Sequence, residues 1–354
     1  MDGIDVASLK SDGRSRLERG PTGYFPYSKD IRSELASAMA DCQRRKVSEI
    51  KAHDFEQLSH RLTMLHGEAV GVFLKENDLL AGDIDVIGFH GQTLVHRPEE
   101  GFTLQIGSGA LLSEVLKTSV VSDFRSADVA AGGEGAPLVP IFHDALISHM
   151  QRHKPVALLN LGGVGNLTFI GRNGDLLAFD TGPGGALIDD WVKKHTMQTH
   201  DEGGKIAAKG YVDEHHLGAL LKHDYFLRKA PKSLDRNDFN SFTLNDLSLE
   251  DGAATLAAFT AEAVALAVHQ LPEPPNEIIV MGGGRHNNTM MAMIAEKANL
   301  PIVNSDDLGL NGDAIEAQAF AYLAIRRLEN LPITFPGTTG VHQAMTGGVI
   351  HTAS

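Results

Sequence analysis

A single cysteine, Cys42, leaves no intramolecular disulfide to form, and no CxxC pair supplies a structural zinc site. A reducing compartment, the cytoplasm, is therefore the expected location. The first residues, MDGIDVASLK, hold no basic segment followed by an apolar run, and no stretch of about 18 apolar residues stands out, so neither export nor a membrane span is expected. Positive charge is also scarce. The formal net charge of −14 opposes the polyphosphate backbone of nucleic acid, which is excluded as a partner on that ground. An anionic ligand must then be met by individual arginines and glycine-loop amides rather than by a broad basic face.

Standard chemical fingerprints are missing too. Gly204-Lys205 is followed by Ile206, so there is no GxxxxGK[ST] loop, and IIVMGGGRHNN lacks the third glycine of GxGxxG. Gly107-Ser108-Gly109 does not satisfy GxSxG. The chain has 17 histidines, including the pair His215-His216. Adjacent residues on a helix point about 100° apart, which makes that pair a poor chelate, and no transition-metal site is expected.

What is present points to an α/β chain of two domains, or one domain with a large insertion, because 354 residues exceed what one core usually organises. Residues 83–89 and 119–123 are short apolar runs, and residues 58–80 carry Leu58, Leu62, Leu65, Ala69, Val72 and Phe73 at helical spacing. His60 and His66 of that helix face solvent or fill its lining. From Pro155 three strand-like runs follow, PVALLNLGG, NLTFIG and LLAFDTG, with Asn173-Gly174 as a hairpin turn. Strands at 277–281 and 301–304 and a helix at 312–328 complete the second half. The segment DGIDVASLKSDGRSR reads as the outgoing arm of a hairpin whose incoming arm is absent. Its likeness to GVGNLTFIG suggests a weak internal duplication.

Glycine turns follow strands at 161–166, 181–185 and 282–284. Each either offers amides to a phosphate or adenosine, or makes a tight strand-to-helix connection. Asn160 and Asn166 orient phosphate-bound water or metal, or cap a turn. Asp180 ends an apolar strand, where it suits a general base or an Asx-turn acceptor. GFHGQTLVHRP concentrates His90, Gln92, Thr93, His96 and Arg97 on one loop, a density suited to sugar hydroxyls or to plain solvation. Arg125 either clamps a ligand carboxylate or pairs with Asp123 or Asp128.

Together DGIDVA, GFHGQTLVHRP, TLQIGSGALLSE, DFRSADVAAGGEGAPLVP, NLGGVGNLT, FDTGPGGALID, PKSLDRNDFN, MGGGRHNN and GDAIEAQAFAYLA resemble the anhydro-N-acetylmuramic acid kinase family of the sugar kinase, Hsp70 and actin superfamily. The resemblance covers nearly the whole chain. It implies an α/β, two-lobed actin-like ATPase fold with duplicated ribonuclease-H-like cores and a central cleft. One lobe would hold 1–125 with about 335–354, and the other 126–334.

The implied reaction uses ATP and Mg²⁺: water opens the 1,6-anhydro bridge of 1,6-anhydro-N-acetylmuramic acid and O6 takes the phosphoryl group, within cell-wall peptidoglycan recycling. Asp180 matches the catalytic base, and Gln92, Thr93, Arg125 and Glu316 match sugar contacts. Asn160, Gly162, Gly163, Asn166, Gly182, Gly184, Gly282, Gly283, Gly284 and Asn287 match the ATP site. Asp2 and Asp5 are the residues nearest the metal, and a homodimer is implied by the family.

Some positions depart from the family pattern: Gly185 stands where asparagine is usual, Gly165 where alanine is common, and Ser108 where aspartate is common. The family also places a strand and SGTS before xDGID, whereas this sequence starts at the x. That leaves GIDVASL without hydrogen-bond partners, and a catalytically impaired nucleotide- or sugar-binding module stands as the alternative function.

Overall fold

Backbone contacts group the residues into two units, Met1–Met150 with Ala314–Ser354, and Gln151–Asp313. The structure is a computed structural model that describes residues 3–353 apart from 235–237, 240, 241, 243, 245 and 313. Both units are mixed α/β, as the sequence implies.

The first unit opens with β1 (Gly3–Ser11) and β2 (Leu17–Pro26), an antiparallel pair registered from Gly3↔Pro26 to Ser11↔Leu17. Asp12 sets the turn, its Oδ1 accepting the amides of Arg14, Ser15 and Arg16 at 2.8, 3.0 and 3.0 Å. GIDVASL is therefore the incoming arm of a hairpin with β2, a partner that the sequence reading did not foresee. Helix α1 (Lys29–Arg44) starts at Ser28, whose hydroxyl accepts the Ile31 amide, and buries Ile31, Leu35, Ala38 and Cys42 along one stripe.

Helix α2 (Glu56–Glu76) buries Leu62, Ala69 and Phe73. Val72, expected on the same face, is 44% exposed, because one step along a helix rotates it off the stripe. His60 faces solvent, while His66 packs between Tyr27 and Phe89.

Next come β3 (Ile87–Phe89), β4 (Gln92–Arg97), β5 (Phe102–Ile106), α3 (Gly109–Leu116), β6 (Val120–Ser122), α4 (Ser126–Ala130) and α5 (Pro140–His149). β3 runs parallel to β6, and β4 and β5 form a separate antiparallel pair.

The second unit is built on a five-stranded sheet. β7 (Val156–Leu161), β8 (Val164–Ile170) and β9 (Leu176–Pro183) form the antiparallel run that the sequence indicates. The turn at Asn173-Gly174 is closed by the Gly171 amide on the Asp175 carbonyl at 2.8 Å, with Gly174 at φ 86°. After α6 (Ala186–His195), α7 (Glu214–Leu220) and α8 (Leu249–His269) come β10 (Ile278–Met281), α9 (Asn288–Ala298) and β11 (Ile302–Asn304). The strand order is β11-β10-β7-β8-β9, with β10 parallel to both β7 and β11.

Against the sequence expectation, α8 does reach the length and mean hydropathy, 1.4, of a membrane-crossing helix. Its apolar surface is consumed inside the unit: Ala253, Ala257, Phe259, Ala261 and Val264 join the core with Leu159, Phe169, Phe179 and Trp191. The Trp191 indole donates to the Leu249 carbonyl at 2.9 Å and lies so close to Gly252 that a Cβ there would sit 2.2 Å from the ring.

The chain returns to the first unit through α10 (Ile315–Leu328), α11 (Pro336–Thr339) and β12 (Val349–His351), the last antiparallel to β6. The units divide later than 125/126 and earlier than 334/335, the boundaries drawn from sequence, for a packing reason. Phe320, Leu323 and Ala324 of α10 share a core with Val121, Phe124, Leu138 and Ile333, which binds residues on both sides of those boundaries to the first unit. α10 comes so close to β3 that a Cβ on Gly88 would meet the Phe320 carbonyl oxygen at 2.1 Å. Gly88→Ala is expected to lower stability by about 1–3 kcal/mol, seen as a reduced urea midpoint; an unchanged midpoint would show that α10 yields at this contact.

Candidate active site

Cross-strand register in the second unit lines up three polar side chains. Asn160 of β7 stands opposite Asn166 of β8, and Asn166 stands opposite Asp180 of β9, so all three share one face of the sheet. A bulge between Gly165 and Asn166 lies at this row, and each of the three side chains is half-buried. The row sits where β7 and the parallel β10 end, the edge at which open α/β sheets present ligand-binding groups.

Asp180 is held from a distant segment. Its amide donates to the Lys232 carbonyl at 2.9 Å, its carbonyl accepts the Tyr225 hydroxyl, and its Oδ2 accepts the Leu234 amide at 2.8 Å. Burial pushes the carboxyl up to about 6, while the Leu234 hydrogen bond pulls the other way. Lys232 lies with its ammonium 4.4 Å from the centroid of the Tyr225 ring and donates to the Tyr225 carbonyl at 3.3 Å. Tyr225, Lys232 and Leu234 were not singled out from sequence. They lie 45 to 54 positions from Asp180, and only the segment PKSLDRNDFN pointed to their neighbourhood.

The glycine turns are packed on one another. The Gly184 and Gly185 amides donate to the carbonyls of Gly163 and Gly162 at 2.9 and 2.7 Å. A Cβ on Gly184 would lie 2.3 Å from the Gly162 oxygen, and one on Gly282, at φ 76°, would lie 2.3 Å from Asn160 Oδ1. Here glycine is required by the protein itself, and the Gly184 and Gly185 amides serve the fold instead of facing outward. Gly283 differs, because no described residue lies within 4 Å of the position its Cβ would take. Asn287 uses its side-chain oxygen to cap α9 through the Met290 amide at 3.0 Å. Gly182 is the penultimate residue of β9, and Gly284 packs against Leu161.

In the first unit the loops after the parallel strands β3 and β6 and the first turn of α10 bring together His90, Arg125 and Glu316. Dense surroundings lower the His90 imidazole, with Glu316 opposing and Arg125 reinforcing that shift. The same desolvation lowers Arg125, which Glu316 and Asp128 partly restore. Yet His90 and Glu316 are solvent-exposed and Arg125 half-buried, so water reaches all three. Arg125 Nη1 donates to the Gly135 carbonyl at 2.8 Å, which fixes the guanidinium without neutralising it. Gln92 and Thr93 begin β4, both half-buried, and Gln92 Nε2 donates to the Thr93 carbonyl at 3.2 Å.

Of the two carboxylates placed near a metal, Asp2 lies outside the described residues, and Asp5 is exposed on β1 opposite Tyr24. The structure also gathers Asp213, His215 and His216, a grouping that helix geometry alone had set aside. Asp213 caps α7 and its Oδ1 lies 2.8 Å from His216 Nδ1, while Asp246 Oδ1 lies 3.1 Å from His216 Nε2. Both nitrogens of that ring thus already face carboxylates.

The chain matches the sequence model of the anhydro-N-acetylmuramic acid kinase family over residues 1–353. The anhydro-N-acetylmuramic acid kinase of Methylobacterium nodulans is 51% identical over 99% of this chain and 96% of its own length. Those of Zymomonas mobilis and Rhodopseudomonas palustris are 49% and 46% identical, again over 99% of this chain and 96% of theirs. A match of this identity along the whole chain places the protein in the anhydro-N-acetylmuramic acid kinase family.

Proposed function

We propose that this protein is an ATP-dependent kinase that opens 1,6-anhydro-N-acetylmuramic acid and phosphorylates it at O6, giving N-acetylmuramic acid 6-phosphate for cell-wall recycling in the cytoplasm. The observation that carries the mechanism is Asp180, a carboxylate raised to about 6 at the end of a strand and gripped through amide, carbonyl and Oδ2. Near neutral pH it is ionised yet basic enough to accept a proton, as a general base requires.

Asp180 takes a proton from water as the water oxygen bonds to the anomeric carbon. The C1–O6 bond breaks, and O6 bonds to the γ-phosphorus while the bond from that phosphorus to ADP breaks. Asp180 then returns its proton to solvent. Gln92, Thr93, Arg125 and Glu316 hold the sugar. Arg125 suits its carboxylate, and the Gln92 amide and Thr93 hydroxyl suit its amide and hydroxyls. Asn160 and Asn166, with the turns at 162–163, 182–184 and 282–287, hold the nucleotide, and Gly283 supplies an unobstructed approach.

Mg²⁺ needs few protein carboxylates when phosphates and water complete its shell, which the exposed Asp5 fits. The ion would neutralise charge on the transferring phosphoryl group. The homodimer rests on the family resemblance. The relatives are named as kinases, and nothing favours a binding-only module.

Mass spectrometry of the chain incubated with Mg²⁺, ATP and the anhydro sugar should find N-acetylmuramic acid 6-phosphate; a folded sample that forms none would overturn the proposal. Asp180→Asn should lower kcat by about 10²–10⁴, and an unchanged rate would remove Asp180 from the chemistry. In the native protein kcat/KM should rise as pH increases through about 6, when the carboxyl ionises.

Stability should run the other way. The folded carboxyl titrates near 6 against an unfolded value of 3.8, so the folded chain binds more protons between them and loses stability as pH rises through that window. Asp180→Asn should therefore melt above the native protein at pH 8 and lose that advantage at pH 4. Equal differences at both pH values would contradict the raised carboxyl.

A further inference from the structure

His96 is the second histidine of GFHGQTLVHRP, and its ring bridges two segments. Register across β4 and β5 sets Thr93 opposite Gln105 and His96 opposite Thr103. His96 Nε2 lies 2.8 Å from the Glu134 carbonyl and Nδ1 lies 2.9 Å from the Thr103 hydroxyl. A carbonyl only accepts, so Nε2 carries a proton. The Gln105 side-chain amide donates to the Thr103 hydroxyl at 2.7 Å and to the Thr93 hydroxyl at 3.4 Å. Thr103, already accepting from Gln105, gives its own proton to Nδ1, and the ring is the neutral Nε2–H tautomer. Flipping the Gln105 amide would make Thr103 donate to it and demand a second proton on His96. Burial opposes that first and the Arg125 charge second; the hydrogen bond to the Glu134 carbonyl, then Glu99 and Asp128, pull the other way.

The segment that receives the His96 proton also carries Arg125. The Gly135 carbonyl accepts Arg125 Nη1 at 2.8 Å, and its amide donates to Asp128 Oδ1 at 2.7 Å. Asp128 Oδ2 accepts the Thr339 hydroxyl at 2.7 Å, and the Glu134 amide donates to the Thr339 carbonyl at 2.7 Å. Gly135 has φ 65°, and a Cβ on it would come within 3.1 Å of the His96 ring, so imidazole and loop are fitted to each other. A continuous run of hydrogen bonds thus joins Thr93, Gln105, Thr103, His96 and Glu134 to the neighbouring residue that orients Arg125.

We propose that His96 is a positioning residue for the sugar: a neutral imidazole strut that fixes the Thr93 end of β4 against the segment orienting Arg125. This rests on the assignment of Thr93 and Arg125 to the sugar. Protonating the ring puts a donor on Nδ1 and breaks the run at Thr103, so sugar affinity falls on the acid side.

The test is steady-state kinetics of His96→Phe and His96→Gln, varying each substrate in turn. His96→Phe, which keeps bulk but loses both hydrogen bonds, should raise KM for the anhydro sugar about tenfold while KM for ATP changes less than about twofold. His96→Gln, which can restore the donor to Glu134, should recover most of that loss and remove the acid-side rise in sugar KM seen in the native protein. An equal rise in both KM values, or no recovery in His96→Gln, would make His96 a merely structural residue and overturn the proposal. Arg125→Ala separates the two levels. If it leaves sugar KM unchanged, the sugar assignment fails and the strut with it; if it raises sugar KM while His96→Phe does not, the strut alone fails.

Discussion

The hydrogen bonds from the Gly184 and Gly185 amides to the Gly163 and Gly162 carbonyls govern the second unit, because they lock the end of β9 to the turn between β7 and β8. Backbone meets backbone there without an intervening side chain, which only glycine permits at Gly184. With those turns fixed, the register of β7, β8 and β9 leaves Asn160, Asn166 and Asp180 side by side. The chemical character of Asp180 then follows from its surroundings: enough burial to raise the carboxyl, and one amide bond to keep it from rising further.

The first unit solves a different problem. In a protein of net charge −14, an arginine must be held in place without a carboxylate claiming each of its donors. Arg125 is held by a carbonyl, so its position is fixed while its charge remains uncompensated at that bond. Glu316, in the first turn of α10, is favourably placed against the helix dipole and acts electrostatically on both Arg125 and His90. Rigidity and open charge are thus obtained together, by spending main-chain acceptors on the guanidinium.

Much of this was legible in the sequence where a local pattern has a local cause. The strands of 156–183, the Asn173-Gly174 turn and the last long helix follow from alternation, turn chemistry and helical spacing, and Asp180 stood out because it closes an apolar strand. What escaped reading depends on contacts between distant residues. No spacing rule connects Asp180 with Tyr225 or Leu234. The β1–β2 pairing was missed because LERGPTGYFP alternates poorly and carries two glycines and two prolines, yet the Asp12 turn sets its register. The domain boundaries were misplaced because α10 follows the second unit in sequence while its apolar face belongs to β3 and β6. The glycine turns stayed between outward amides and tight connections, because sequence cannot tell which amides the protein keeps for itself.

The lone cysteine and the lone tryptophan fall in different units. Cys42 is fully buried in α1, with its thiol raised by burial, and Trp191 is packed against α8. The buried thiol is shielded until α1 opens, so reaction with an alkylating reagent clocks the loosening of the first unit. Indole emission reports the second unit in the same sample. The chain therefore carries one native probe in each unit, and the order in which the two units loosen can be followed without substituting a residue.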